Sequence, residues 1–193
     1  KPMILFAAPP NQNIDGSRSD FEFKDFEQAL KYIAKILCSL SKKYNIVVRP
    51  HPNFTKVKDI LREYDLTMTL EDTAQLIPLS DIYIASASAT IRWSIACGVP
   101  TINYDLFHYN YPEYSNEKGV LSVTKMSDFE KALKQLCSNS KYYNHLKREQ
   151  SLASRDWAKM DGKVASRMMD LCDDLIESPN IKRLPNTKDR LTK

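Results

Sequence analysis

The chain has 193 residues, a formal net charge of +4 and an apolar fraction of 42%. This length suits one domain whose core is large enough to fold without disulfide or metal support. The charge surplus is small and no dense Lys/Arg run precedes the C-terminal tail, so we expect no nucleic-acid partner. The small surplus is compatible with a small anionic ligand. Because the chain has no apolar run of membrane-spanning length and no signal-peptide pattern, we expect a cytoplasmic protein.

The N-terminal part alternates apolar runs with polar segments. Residues 3–8 form a continuous apolar run closed by two prolines, which predicts a buried strand, and the polar residues 9–23 predict a long loop. Apolar residues then recur at helical spacing from Phe26, which predicts a helix of about 18 residues. Residues 45–49, with β-branched side chains at 46–48, predict a second buried strand, which we expect the following prolines to end.

The same alternation continues to the C-terminus. The further predicted elements are a helix over residues 54–64, a strand over 66–70, a helix capped by Asp72, strands over 82–85, 99–103 and 120–123, and helices over 91–97, 127–137 and 141–176. We expect Gly98 to end the helix over residues 91–97 and a break near Asp161 in the last helix. The predicted domain covers residues 1–177, and residues 178–193, which lack periodicity, are predicted to form a weakly ordered tail.

Strand–helix alternation indicates an α/β fold: a parallel sheet of about six strands with helices on both faces and long C-terminal helices. In such folds ligands bind at the carboxyl ends of the strands. Three polar loops, over residues 9–16, 49–53 and 86–90, directly follow predicted strands. We therefore expect these loops to meet at one edge of the sheet.

The loop after the second strand carries Arg49 and His51, and His51 stands between Pro50 and Pro52. The prolines restrict the backbone, and a guanidinium and an imidazole can both donate charge-assisted hydrogen bonds to phosphate oxygens. The alternative is that His51 caps a turn and Arg49 forms a surface ion pair. We expect phosphate binding, because the prolines hold the imidazole rigidly at the carboxyl end of a strand.

The loop over residues 86–90 carries hydroxyls at Ser86, Ser88 and Thr90, separated by alanines. One hydroxyl is expected to cap the following helix, whose free N–H groups would favour an anion. The small alanines allow close approach of a ligand to the backbone. The alternative is an ordinary helix cap with small residues for packing.

Five aromatic residues lie within eleven positions between Tyr104 and Tyr114. They could stack on a nucleobase, pack on a partner domain, lie against a membrane surface or simply pin their own loop. The chain has no GxGxxG, Walker A or GxSxG motif, and its cysteines and histidines lack zinc-site spacing. No metal site is therefore predicted.

Several segments together resemble a known family. They are residues 49–53 (Arg-Pro-His-Pro-Asn), residues 72–77 before the strand at 82–85, the Ser/Thr loop 86–90, and residues 96–101. They are similar to the C-terminal, nucleotide-sugar-binding half of GT-B glycosyltransferases, of the HP-motif type found in bacterial surface-polysaccharide enzymes. Kdo and sialic-acid transferases, CDP-glycerol glycerophosphotransferases and the UDP-N-acetylglucosamine 2-epimerase fold share this outline, which covers about residues 2–136.

The resemblance implies a Rossmann-like domain that binds a CMP-, CDP- or UDP-linked sugar without a metal or other cofactor. His51 would be the catalytic residue, contacting the phosphate. The residues implied in donor binding are Arg49, His51, Asn53, Ser86, Ser88 and Thr90, and Asn11 and Gln12 would belong to a loop at the cleft.

The resemblance also implies that the chain is part of a longer glycosyltransferase, inactive without an N-terminal acceptor-binding domain. Its role would lie in capsule, lipopolysaccharide or teichoic acid biosynthesis, in the cytoplasm or peripherally at the inner face of the membrane. The alternatives are half of a UDP-sugar 2-epimerase, a non-catalytic nucleotide-binding module, or a structural partner-binding domain.

Overall fold

The computed structural model describes residues 1–11, 21–53, 56–159 and 161–177. It divides the chain into two compact units, Lys1–Ala158 and a second unit that begins at Lys159. The expected tail over residues 178–193 and much of the expected loop over residues 9–23 lie outside the described residues.

The first unit is built on a six-stranded, all-parallel sheet with the strand order β3-β2-β1-β4-β5-β6. The strands are β1 (Met3–Ala8), β2 (Asn45–Pro50), β3 (Thr67–Met68), β4 (Ile82–Ala85), β5 (Thr101–Tyr104) and β6 (Val120–Val123). The central strand β1 pairs with β2 on one side and with β4 on the other. The predicted parallel sheet is confirmed.

The helices follow the strands in the predicted order. They are α1 (Phe26–Ser39), α2 (Val57–Ile60), α3 (Thr73–Leu76), α4 (Ile91–Ala96), α5 (Met126–Ser138), α6 (Ser140–Trp157) and, in the second unit, α7 (Val164–Glu177). Short 3₁₀ helices lie at Ile77–Leu79 and Pro112–Tyr114. The break expected near Asp161 is confirmed, because it falls between α6 and α7.

Both faces of the sheet are buried, as the continuous apolar runs predicted. Side chains alternate between the faces of a strand, so Ile4 and Phe6 pack in the core on the side of α1 and α5. Leu5 and Tyr83 pack in the core on the opposite side, with residues of α4. Each buried large apolar side chain contributes about 1.5–3 kcal/mol, which stabilises the doubly covered arrangement.

The first helix is shorter than the expected 18 residues. It begins after Asp25, whose carboxylate accepts the Gln28 N–H at 2.8 Å, and it ends at Ser39 after 14 residues. The N–H of Leu40 bonds to the carbonyl of Leu37, which tightens the last turn. The polar residues that follow offer nothing to bury, so the chain turns into β2.

The second strand extends one residue further than predicted, because Pro50 is its last residue and pairs with Ala8. The N–H of His51 donates to the Ala8 carbonyl at 3.1 Å, so the missing N–H of Pro50 falls on the side facing β3. Since β3 ends at Met68, no ladder bond is lost there.

A small polar cluster fixes α6 against β5 and the loop before β6. Gln150 on α6 is fully buried, and its Nε2 donates to the Thr101 hydroxyl at 3.5 Å. Gly119 has φ +81°, and a Cβ built on it would lie only 2.3 Å from the Gln150 Cβ. The turn before β6 therefore needs a glycine for two independent reasons.

Candidate functional site

A cavity of about 510 Å³ opens at the carboxyl edge of the sheet. It lies where β1 and β4 are neighbours, the point at which successive connections run to opposite sides of the sheet. Crevices at this switch point are the usual ligand sites of open parallel sheets. Pro9 and Pro10 line the cavity together with the loops after β2 and β4, so these loops meet at one edge as predicted.

Arg49 is fixed in this cavity by the backbone around it. Its Nε donates to the Glu71 carbonyl at 3.2 Å and its Nη1 to the Pro50 carbonyl. No carboxylate among the described residues forms a salt bridge with Arg49, so the predicted alternative of a surface ion pair is not observed. The guanidinium therefore lines the cavity without an ion-pair partner within 4 Å among the described residues, and it has N–H groups left to donate.

His51 is half-buried and lines the same cavity. Its Nδ1 lies 3.2 Å from the backbone N–H of Asn53 and accepts that hydrogen bond. An Nδ1 that accepts a bond assigns the proton of a neutral imidazole to Nε2. Nε2 has no partner within the described part of the chain, so it is available to donate to an anion.

The loop after β4 is held in a strained conformation. Ala87 has φ +44°, in the left-handed region that costs a residue with a Cβ about 1–2 kcal/mol. The buried Asn103 on β5 stabilises this conformation, because its Oδ1 accepts the Ala87 N–H at 2.9 Å. Backbone strain that the surroundings maintain is concentrated at functional sites, which supports a binding role for this loop.

A chain of hydroxyl groups orders the side chains of the same loop. The buried Tyr83 hydroxyl is hydrogen-bonded to Thr90 Oγ1, which in turn lies 2.7 Å from Ser88 Oγ. Burial raises the pKa of Tyr83, while the Thr90 hydrogen bond and the nearby Arg49 charge oppose this shift. Tyr83 therefore stays a neutral phenol, and it lies close enough to Arg49 for the two groups to interact electrostatically.

The expected mode of anion binding at the start of α4 needs correction. Thr90 occupies the N-cap position, but no side chain makes a capping hydrogen bond there. The N–H groups of Ile91 and Arg92 are already bonded to the carbonyls of Ser88 and Ala89. The helix start was therefore the wrong source of donors, because the loop closes its own first turn.

The unused donors lie one step earlier in the chain. The backbone N–H groups of Ser88 and Ala89 have no hydrogen-bond partner within the described ranges, and both residues line the cavity. Two successive N–H groups in a tight turn are a common arrangement for binding phosphate oxygens. Because both residues have small side chains, a ligand can reach this backbone.

The sequence-based site residues are only partly brought together. Arg49, His51, Ser86, Ser88 and Thr90 all line the cavity. The hydroxyl of Ser86 is partly engaged, because it accepts the Leu106 N–H at 3.2 Å.

Three of the expected residues are not among those that line the cavity. Asn53 and Asn11 are described but lie outside the lining, and Gln12 lies outside the described residues. Asn53 contributes through its backbone N–H, which orients His51. The structure therefore gives less support than the sequence for a contact between the Asn53 side chain and a ligand.

The structure adds lining residues that the sequence did not indicate. Asp72 comes from the loop after β3, Thr73 from the start of α3, Trp93 from α4, and Tyr109 from the loop after β5. Asp72 and Thr73 could have been predicted, since they also follow the carboxyl end of a predicted strand. For Trp93 no pattern in the sequence distinguished a ligand contact from helix packing.

The aromatic run after β5 is divided between core and surface. Tyr104, Phe107 and Tyr114 are buried, while Tyr109 and Tyr111 are exposed and stack on each other with ring centroids 5.4 Å apart. The aromatic side chains of this loop therefore help to hold the loop itself in place, which is one of the predicted alternatives. A second device is the buried Asp105 carboxylate, which accepts the N–H groups of Tyr109 and Asn110 at 3.0 and 2.7 Å.

Among the described residues, no group of three or more His, Cys, Asp or Glu side chains is placed to hold a metal ion. Within the same residues, no helix has the length and apolar character needed to cross a membrane.

No protein-family model and no curated protein sequence matches the chain. Solved structures do match. The chain superposes on wall teichoic acid polymerase TagF with a TM-score of 0.59 and 18% identity, over 93% of this chain and 45% of that one. It superposes on Staphylococcus aureus MnaA in complex with UDP with a TM-score of 0.61 and 16% identity, over 92% and 47%.

A third match is a putative UDP-N-acetylglucosamine 2-epimerase from Listeria monocytogenes, with a TM-score of 0.62, 15% identity and coverage of 92% and 46%. The Rossmann-like α/β fold is that of GT-B enzymes, which confirms the fold that the sequence resemblance implied. The chain spans less than half the length of each of these proteins.

Proposed function

We propose that the chain is the nucleotide-sugar donor-binding domain of a glycosyltransferase that acts in bacterial surface-polysaccharide biosynthesis. The observation that carries the proposal is the cavity between β1 and β4. There Arg49, the Nε2–H of His51 and the free N–H groups of Ser88 and Ala89 come from separate loops to one space. Converging donors of this kind suit the diphosphate of a nucleotide-sugar.

In the proposed reaction, the oxygen of an acceptor hydroxyl forms a bond to the anomeric carbon and its proton passes to a general base. The bond between the anomeric carbon and the phosphate oxygen breaks, and the nucleotide leaves with the bonding electrons. Negative charge then grows on the phosphate. The Arg49 guanidinium and the His51 Nε2–H would stabilise that charge without rearranging, because their hydrogen bonds to backbone groups already hold them in place. No metal ion or cofactor is part of this proposal.

The proposal assigns the acceptor site and the general base to a companion domain, since the chain spans less than half of the similar enzymes. We further propose that the complete enzyme works in the cytoplasm, at the inner face of the membrane. The chain alone should then bind nucleotides without turning over a nucleotide-sugar.

Calorimetric titration of the chain with CMP, CDP, UDP and GDP tests the proposal. We expect saturable binding of at least one of these nucleotides, and loss of that binding in the double variant Arg49→Ala, His51→Asn. A control at the opposite edge of the sheet is Asp65→Asn, which should bind as the unchanged chain does. Absence of binding for all four nucleotides would contradict the donor-site proposal.

A second candidate is one half of a UDP-sugar 2-epimerase. It is favoured by the similarity to MnaA in complex with UDP and to the Listeria protein. The two functions differ in their products. A protein that carries this chain with its companion domain would convert UDP-N-acetylglucosamine to its 2-epimer without an acceptor, whereas a transferase would release nucleotide only when an acceptor is present. Binding without either reaction would indicate a non-catalytic nucleotide-binding module.

A further inference from the structure

One tryptophan stands apart from the packing of the molecule. Trp93 lies on the first turn of α4, is 46% exposed and lines the cavity. Its indole makes no hydrogen bond and no aromatic contact within the described ranges. The other tryptophan, Trp157, is by contrast hydrogen-bonded to Glu117 through Nε1 at 3.1 Å and packs against Tyr114.

The geometry of α4 explains why this ring faces outward. Ile91, Ser94 and Ile95 are the buried residues of the helix, and Trp93 lies off that face. It follows Thr90 by three residues, a spacing that brings Cβ atoms to about 5–6 Å on a helix. The indole therefore lies on the same side of the helix start as Thr90, and it lines one cavity together with Ser88, Ala89 and Thr90.

The cavity has different walls on its two sides. The loop after β3 and the start of α3 supply the polar residues Asp72 and Thr73, whereas α4 and the loop after β5 supply Trp93 and Tyr109. Tyr109 packs between Phe107 and Tyr111, with centroid distances of 5.6 and 5.4 Å, so its ring is held in place. The phosphate donors lie between these sides, on β2 and on the loops that follow β2 and β4.

We infer that the nucleobase of the bound nucleotide stacks on Trp93, which thereby favours nucleotides over ligands that carry phosphate alone. The inference rests on the proposed function, because it assigns one wall of the same cavity to the nucleoside. A large exposed indole in the cavity that holds the phosphate donors can stack against a planar, partly apolar group of the ligand. Every nucleobase has a planar face that can stack in this way. A ligand that carries phosphate alone cannot use this surface.

The first test measures contact directly. The chain has two tryptophans, so Trp157→Phe leaves Trp93 as the only indole fluorophore. Titration of this variant with UDP or CDP should quench its fluorescence, because a stacked base lies against the ring. Inorganic pyrophosphate should bind without quenching. Quenching by N-acetylglucosamine 1-phosphate but by neither nucleotide would assign the wall to the sugar and overturn the inference.

The second test measures the energetic contribution. Trp93→Ala should raise the Kd for UDP or CDP by roughly tenfold, within the range that loss of one base–aromatic stack causes. The Kd for pyrophosphate should stay unchanged, and Trp93→Tyr should restore most of the nucleotide affinity. Trp157→Phe is the matched control, since it removes the tryptophan that lies outside the cavity lining and should leave both constants unchanged.

The outcomes separate this inference from the proposed function. If nucleotides and pyrophosphate bind and Trp93→Ala affects neither, the inference is wrong while the donor site stands. An equal loss of nucleotide and pyrophosphate affinity would likewise overturn it, because the residue would then act on the loop rather than on a base. If the unchanged chain binds none of these ligands, both fail.

Discussion

The most informative single substitution is His51→Asn. The Nδ1 of His51 accepts the N–H of Asn53 at 3.2 Å, and the Oδ1 of an asparagine can take over that role. The substitution therefore keeps the hydrogen bond that orders the loop. It removes only Nε2–H, the group that we assign to the phosphate.

The size of the effect follows from the charge of the ligand. A hydrogen bond to a charged group contributes about 1.5–3 kcal/mol, which corresponds to a roughly 10- to 150-fold change in Kd. The lower part of this range is expected here, because His51 is only half-buried and water can replace part of the lost bond. In the complete enzyme, the loss of this donor should lower kcat, since charge on the phosphate increases in the transition state.

Calorimetry with UDP, CDP and pyrophosphate measures the effect on binding, and urea unfolding of the same samples checks that stability is unchanged. His51→Gln is the matched variant, because a glutamine amide can reach the position of Nε2 and should retain part of the affinity. If His51→Asn binds all three ligands as tightly as the unchanged chain, the assignment of Nε2–H to the phosphate is wrong.

Three further predictions concern stability and are each measured by urea unfolding. Gly119→Ala should destabilise the chain more than Gly98→Ala. Both glycines have positive φ, which costs an alanine about 1–2 kcal/mol, but only the Gly119 Cβ would clash with the Gln150 side chain, which adds about 1–3 kcal/mol. Equal losses of stability would contradict the steric argument. Tyr104→Phe should stabilise the chain by about 1 kcal/mol, because the Tyr104 hydroxyl is buried with no hydrogen-bond partner among the described residues, and a clear loss of stability would reveal a partner. Burial raises the pKa of Tyr44 to about 12, so the Tyr44 hydroxyl ionises from about pH 10 in the unfolded chain but keeps its proton in the folded chain. The free energy of unfolding should therefore fall as the pH rises from 10 to 12. This fall should be smaller in Tyr44→Phe, and an identical fall would refute the assignment.

Much of the fold could be predicted from local patterns. The strands β1, β4 and β6 have the predicted bounds, because each is a short apolar run bounded by proline or small polar residues. Helix lengths were less predictable: α1 ends earlier than its apolar spacing suggested. That end depends on where the chain must return to begin β2, which is a property of the sheet and not of the helix sequence.

The sequence predicted where the site lies, but it did not predict which groups donate hydrogen bonds there. Topology alone places the loops after β1, β2 and β4 together, so the shared edge could be predicted. The free N–H groups of Ser88 and Ala89 could not, since they result from the left-handed Ala87 and its bond to Asn103, far along the chain. The position of Trp93 in the wall likewise depends on the packing of the buried face of α4.

The central claim is that the backbone after β4 and the loop after β2 together bind a nucleotide phosphate. Backbone amide NMR of the ¹⁵N-labelled chain, recorded during titration with UDP, CDP and pyrophosphate, tests it most directly. We expect the largest shifts, saturating together, at the amides of Ser88 and Ala89 and in the loop that carries His51. Saturable binding that shifts amides elsewhere and leaves these unchanged would contradict the account.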